Sequence, residues 1–356
     1  MAKSAHETKD LASPEALGAV HAPVLRFFPQ LVAELGGDSA ALLAEAGVAA
    51  AEAEAGWVAS YPQIADLLEL AAARLGCADL GLRLAQRQCS VPDSVSSPLG
   101  DATRHARTFG EALEFVSRHS YAHSLAAGFW LKPVRGGKAT LLGHDLLLER
   151  LPAKRQVVEQ VLLTAHLWAI RLTGGLARAR GVYLRHQPMS PLRTYRSYFG
   201  CDVSFGEAVN AILYYDRDLG RPLSAANLQA REAAVAFIES QFQQREPPLS
   251  ALARGVILHV LGTDLCRTDF VAEKLKLHPR TLHRRLREEG ASFRAIHDEV
   301  RRDMLGYYLR QTDLGFADIS ERLGFSEQSV LTRFCRRWFG GPPTAVRLAA
   351  RSTAGS

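Results

Sequence analysis

Two clusters of arginine and amide side chains near the carboxyl end have the types and spacing to bind a polyanion. One runs Pro279-Arg-Thr-Leu-His-Arg-Arg-Leu-Arg287 and the other Gln328-Ser-Val-Leu-Thr-Arg-Phe-Cys-Arg-Arg337. Guanidinium forks and side-chain amides are the donors that recognise phosphates and the edges of guanine and adenine. Leu282 and Leu286 are four apart and read as the inward stripe of one helix, leaving Arg280, His283, Arg284 and Arg287 outside it. In the second cluster Val330 and Phe334, with Leu331 nearby, read as the inward stripe. Gln328, Ser329, Thr332, Arg333, Arg336 and Arg337 then lie outside or at the rim. A core position for so many unpaired guanidiniums is too costly.

The elements that must position these residues repeat. Val271 to Leu286 resembles Ile319 to Phe334 at a shift of 48 residues, with apolar matches at 271/319, 275/323, 277/325, 282/330 and 286/334. In each copy a short helix ends at a leucine, one apolar residue plugs a tight turn, and a second helix starts at Pro279 or Glu327. Proline suits a first helical turn because its missing N–H has no partner there. The arrangement is a helix-turn-helix, whose second helix fits a major groove. Between the copies, Ser292 to Arg310 reads as one capped helix of about 28 Å at ~1.5 Å per residue. That length suits two recognition helices set about 34 Å apart, one duplex turn. The pattern predicts double-stranded DNA as partner, met in successive major grooves.

Charge agrees with this placement. The 356-residue chain carries a net +6, and 18 basic against 13 acidic residues from Glu246 to Ser356 put +5 of it in the last third. Such asymmetry is expected where one domain meets a polyanion. The five cysteines (77, 89, 201, 266, 335) form no C-x-x-C pair, so no zinc or redox motif appears. Scattered cysteines, no signal-like start and no apolar run near ~20 residues predict a cytoplasmic protein without a membrane span.

Upstream, the pattern reads as α+β: helices first, then a small sheet of about four strands crossed by one helix. Tyr61-Pro-Gln-Ile opens a helix through Leu75. Val91 to Gly100 reads as a loop and Ala102 to His119 as helix. Ser124 to Val134 and Ala139 to Leu148 flank Arg135-Gly-Gly-Lys138, a hairpin signal; Val182 to His186 and Ala211 to Tyr215 are further strands, with a helix over Lys154 to Leu172 between the pairs. Arg221 to Glu246 carries another helix, and Pro247-Pro248 ends it. The predicted organisation is a flexible tail (1–20), a ligand-sensing domain (21–242), a linker (243–250) and an all-α DNA-binding domain (251–351) with helix-turn-helix units at 268–289 and 316–338.

Gly290-Ala-Ser-Phe293, Arg301-Arg-Asp-Met304, Asp318-Ile-Ser-Glu-Arg-Leu-Gly-Phe-Ser-Glu-Gln-Ser329 and Phe339-Gly-Gly-Pro-Pro343 resemble the AraC/XylS family of bacterial regulators, over roughly Leu249 to Arg351. The resemblance implies that Arg280 and Arg284, and then Gln328, Ser329 and Arg333, stand where family members contact bases. It also implies RNA polymerase as a partner. The chain departs from the family where Val346-Arg347 replaces a tyrosine–arginine pair and Cys335-Arg336 an aromatic–lysine. Thr108-Phe-Gly-Glu-Ala-Leu113, Arg196-Ser-Tyr-Phe-Gly-Cys201 and Val203-Ser-Phe-Gly206 resemble the arabinose-binding-like sensor domain of one branch. That implies a small-molecule effector and a homodimer, without implying arabinose.

Other chemistry is sparse. No H-E-x-x-H or G-x-S-x-G occurs, and Gly136-Gly-Lys138 lacks phosphate-loop spacing. His119 and His123 share a helical spacing but no metal-binding company, so neither metal nor cofactor is predicted. Tyr121, His123 and Trp130, with Phe129, lie where helices hand over to sheet; they are candidate effector contacts, the alternative being plain core aromatics. The reading is an effector-responsive, sequence-specific activator, not an enzyme. A DNA-repair alkyl acceptor or an architectural DNA binder on the same module are the alternatives.

Overall fold

The computed structural model describes residues 20, 24–49, 60–90, 98–124, 126–134, 138–146, 154–242 and 248–354. They form two compact units, one made of the described residues up to 242 and the other of those from 248 onward.

In the first unit, α1 (Phe28–Glu34), α2 (Ser39–Glu45), α3 (Tyr61–Arg74), α4 (Leu80–Ser90), α5 (Pro98–Arg104) and α6 (Phe109–His119) precede β1 (Ala127–Pro133) and β2 (Ala139–Leu146). Then follow α7 (Arg155–Leu172), β3 (Gly181–Leu184), α8 (Leu192–Phe199), β4 (Val203–Phe205), β5 (Ala211–Tyr215), α9 (Asp216–Leu219) and α10 (Leu228–Phe242). Local chemistry sets the starts. Ser60 and Gln63 make a reciprocal capping box at α3, and Thr108 Oγ1 accepts from the Glu111 N–H at α6.

The sheet has five strands in the order β1-β2-β5-β3-β4, antiparallel except for the β3–β4 pair. The fifth, β4, is three residues long, too short for alternation to show in sequence. Four other expectations need correction. Residues 98–100, read as loop, begin α5, and the helix expected from 102 to 119 is two, broken at 105–108. The helix expected from Arg221 starts at Leu228. Val20, the last residue of the expected tail, is buried and bridges to Ser124. Residues 135–137 of the expected hairpin turn, and 243–247 of the linker, lie outside the described residues.

The core forms around α7, which buries Val157, Val158, Leu162, Leu163, His166 and Ala169 and packs along α4. That packing needs Gly81: a Cβ there would stand 2.2 Å from the Gln156 carbonyl oxygen. Histidines 144, 166 and 186 are all buried. Burial pushes each of them down to about 4. His186 faces Glu159 at 3.4 Å, whose carboxyl burial pushes well up, so this pair is held neutral. A group with a depressed folded pKa that is neutral when deprotonated loses stability as pH falls below its unfolded value. His144 and His166 therefore each weaken the fold between pH 6.5 and 4, by up to about 1.4 kcal/mol per pH unit. Glu159 acts oppositely and offsets His186. Urea midpoints should drop between pH 7 and 5, and His144→Phe should flatten that slope; a pH-independent midpoint would contradict this.

The second unit is all helix: α11 (Leu249–Val260), α12 (Thr268–Lys274), α13 (Pro279–Glu288), α14 (Phe293–Gln311), α15 (Phe316–Arg322), α16 (Gln328–Phe339) and α17 (Pro343–Ala354). Ser292 caps α14, as the sequence predicts, by accepting from the Ala295 N–H. One core gathers α11–α13 and a second gathers α15–α17, with Leu261 and Met304 packed against both.

Candidate functional site

The recognition helices α13 and α16 present matching exposed faces. On α13, Leu282 and Leu286 are fully buried while Arg280, His283, Arg284 and Arg287 are exposed. Arg285 of the same helix is exposed too. On α16, the buried stripe is Leu331 and Cys335 rather than Val330 and Phe334, which are half-buried.

The reason is a register change. The first helices and turns match at 48 residues, down to a left-handed backbone at both Lys276 (φ 55) and Gly324 (φ 66). The N-caps, however, are His278 and Glu327, so the second turn is one residue longer and the recognition helices match at 49. Arg280 then corresponds to Ser329, His283 to Thr332, Arg284 to Arg333 and Arg287 to Arg336. Gln328, Ser329, Arg333, Arg336 and Arg337 are exposed; Thr332 is half-buried, its hydroxyl donating to the Gln328 carbonyl. Sequence comparison misses this shift because Val330 and Phe334 are as apolar as the residues that replace them.

The exposed cations are not equally engaged. Arg284 Nη1 donates to Glu288 Oε1 at 2.7 Å, one turn along the same face. Such an exposed pair is worth about 0.2–0.5 kcal/mol. Glu288→Ala should free Arg284 and remove an anion from the face. DNA affinity should then rise about two- to threefold at low salt and less at high salt; a fall in anisotropy-measured affinity would contradict it.

Several residues fix the two recognition helices to one frame. Glu289, just past α13, accepts from the Leu249 and Ser250 N–H groups, both at 2.8 Å, and so caps α11. Arg254 of α11 pairs with Asp303 and Glu299 of α14. Arg301 of α14 donates to the Leu323 and Gly324 carbonyls at 3.0 Å each, capping α15, and stacks over Phe325. Gly262 lies against this corner, where a Cβ would stand 2.4 Å from the Arg322 carbonyl oxygen. Arg347, at one of the departures from the family pattern, donates to the Leu314 carbonyl at 2.7 Å and lies over Phe316.

The first unit holds a half-open cavity of about 160 Å³ between α4, α5, α6, α7 and the sheet. Its wall is mostly apolar, with Phe129 and Trp168 among its rings and Gln88, Thr103, Gln160 and Thr164 among its polar groups. His123 lines it, and its Nε2 lies 2.8 Å from the Tyr61 hydroxyl. Trp130 does not: residues alternate along β1, so it takes the face opposite Phe129, stacks on Gly143 and donates from Nε1 to Asp145 Oδ2 at 2.8 Å. The Tyr121 side chain lies outside the described residues. The aromatic Trp168 and the paired Gln88 and Gln160 are wall residues that the candidate effector contacts left out. Their helical spacing marks them only as core.

Among the described residues no group of three His, Cys, Asp or Glu is placed to hold a metal ion, and no helix is long and apolar enough to cross a membrane. Burial pushes the Cys77, Cys89, Cys201 and Cys335 thiols up to about 11 and Cys266 up as well. That is the reverse of a thiol activated for attack.

Known proteins match both units. Residues 36–223 match the arabinose-binding domain of AraC transcription regulator, N-terminal, and residues 271–349 a helix-turn-helix domain. The HTH-type transcriptional regulator VirS of Mycobacterium tuberculosis is 34% identical over 282 residues, covering 79% of this chain and 82% of that one. The chain belongs to the AraC family of transcription regulators. Like its AraC relatives it is a DNA-binding transcription regulator with an amino-terminal ligand-binding domain. Within the family, the ornithine utilization regulator of Pseudomonas aeruginosa is 28% identical over 282 residues, 76% of this chain and 78% of that one. The transcriptional activator NphR of a Rhodococcus species is 27% identical over 166 residues, 43% and 49%.

Proposed function

We propose that this regulator is an effector-responsive activator that reads two neighbouring DNA half-sites, one with each recognition helix, in successive major grooves. The observation that carries this is the pair of exposed, arginine-bearing faces on α13 and α16, braced to the single 19-residue helix α14. Arg280, Arg284, Ser329 and Arg333 take base edges; Arg287, Arg336 and Arg337 take phosphates. A relative named as an activator supports that sign of regulation, with RNA polymerase as the further partner and a homodimer as the assembly.

The effector's site is the first-unit cavity. Leu99 of α5 lines it and also packs in the cluster that buries Ile238 of α10, after which the chain runs on to the second unit. An occupant that supports α5 thereby biases α10. By linkage DNA must change effector affinity by the same factor that the effector changes DNA affinity.

Footprinting on DNA fragments recovered by genome-wide capture should show two protected major grooves about 10 base pairs apart. Protection of one groove would sink the two-helix reading. Arg333→Ala should cost about 1–3 kcal/mol and relax preference at one base step. Weakening that is uniform across sequences would assign Arg333 to phosphate instead.

A further inference from the structure

We propose that the sensor cavity takes a neutral, single-ring-sized, mostly apolar molecule bearing one hydrogen-bond donor, of which phenol is the simplest, and that Gln160 Oε1 is the acceptor that selects it. The inference rests on reading this cavity as the effector site.

The wall sets three limits. Leu113, Phe129, Leu142, Val161, Ala165 and Leu172 make it apolar, and among the described residues that line it none is Asp, Glu, Lys or Arg. A charged occupant would find no carboxylate, ammonium or guanidinium on this wall to pair with, which is costly where water is largely excluded. A sugar would bury several hydroxyls against too few partners. The volume of about 160 Å³ is close to the roughly 150 Å³ cavity that holds benzene in another protein.

The polar rung supplies the selectivity. Gln160 Nε2 donates to the Val24 carbonyl at 2.7 Å and to Gln88 Oε1 at 3.1 Å. Gln88 Nε2 donates to the Val24 and Arg26 carbonyls at 2.7 and 3.1 Å. Backbone carbonyls only accept, so both amide orientations are forced. Gln160 Oε1 is thereby turned away from its own partners. It has none, although the side chain is only 2% exposed. Two other polar wall groups are engaged: Thr103 donates to the Gly100 carbonyl at 2.6 Å and His123 meets Tyr61. A buried acceptor left unmade is expensive. A ligand hydroxyl or amine N–H that reaches it recovers that loss, and a plain hydrocarbon does not.

The test is ligand-observed NMR and calorimetry on the full chain with phenol, toluene, benzoate and arabinose. Phenol should bind about tenfold more tightly than toluene, the ratio expected for one hydrogen bond, and neither benzoate nor arabinose should displace it. Gln160→Leu should bring the phenol-to-toluene ratio near one, and Ala165→Phe should abolish both by filling the cavity. Toluene equal to phenol on the natural chain, or displacement of phenol by benzoate or arabinose, overturns the proposed ligand class while leaving the cavity a binding site. Phenol binding that survives Ala165→Phe, or no binding by any probe, overturns the cavity as the effector site. If Gln160→Leu does not fold, the four-probe order on the natural chain and the Ala165→Phe result decide alone.

Discussion

Gly262→Ala should lower affinity for two-half-site DNA about a hundredfold, while leaving affinity for an isolated half-site close to that of the natural chain. Gly262 sits at φ 78, and an added Cβ would stand 2.4 Å from the Arg322 carbonyl oxygen and 2.9 Å from that of Glu321. These are backbone atoms and cannot rotate aside. The corner they belong to is the end of α15, which Arg301 also caps. A side chain at 262 therefore forces the second helix-turn-helix away from α11 and α14. Two linked binding modules gain about 10²–10⁴ in affinity from a geometry that allows simultaneous engagement, and lose it when that geometry fails. Gly290→Ala is the matched control. Its φ is 70 and nothing lies within 4 Å of the added Cβ, so it carries the left-handed backbone cost of about 1–2 kcal/mol without the clash. Anisotropy titrations of both variants separate the effects; equal losses would show that Gly262 matters only for its backbone conformation.

Gly81→Ala should destabilise the first unit by about 2–4 kcal/mol and remove ligand binding there. The Cβ would stand 2.2 Å from the Gln156 carbonyl oxygen, so α4 must part from α7. Overpacking of a core contact costs about 1–3 kcal/mol. The Gly81 N–H also donates to Gln156 Oε1 at 2.7 Å, and losing that bond adds about 1 kcal/mol. Against a total stability of about 5–15 kcal/mol this is a large fraction. The same displacement pulls Gln88 on α4 away from Gln160 on α7, which dismantles the polar rung of the cavity. Hydrogen exchange should rise throughout α4 and α7 and stay unchanged in α13 and α16. Stability within about 1 kcal/mol of the natural chain would show that the helices yield cheaply.

Much of the second unit is legible in the sequence. Leu282 and Leu286 announce a helix face, Pro279 its first turn and Ser292 the cap of the next helix, because these signals act between residues a few positions apart. The recognition face of α16 was only half legible. Val330-Leu331 and Phe334-Cys335 are adjacent apolar pairs, and periodicity alone cannot say which member of each turns inward. The one-residue longer turn decides it, and Leu331 and Cys335 go to the core. The cavity was less legible still. Of the three candidate effector contacts, the structure brings His123 to the wall and turns Trp130 to the other side of the sheet. The rest of the wall comes from α4, α5 and α7, up to scores of residues away in sequence.

The order of charges and apolar positions along the chain was enough to establish two tandem helix-turn-helix units and a mixed α+β domain ahead of them, since short-range periodicity and capping are local. Tertiary packing alone decided which face α16 shows, how Gly262 and Arg301 join the two units of the DNA-binding half, and where Gln160 leaves an acceptor unmatched. Those outcomes depend on backbones meeting across long stretches of chain, and no local pattern records how closely two distant backbones will approach.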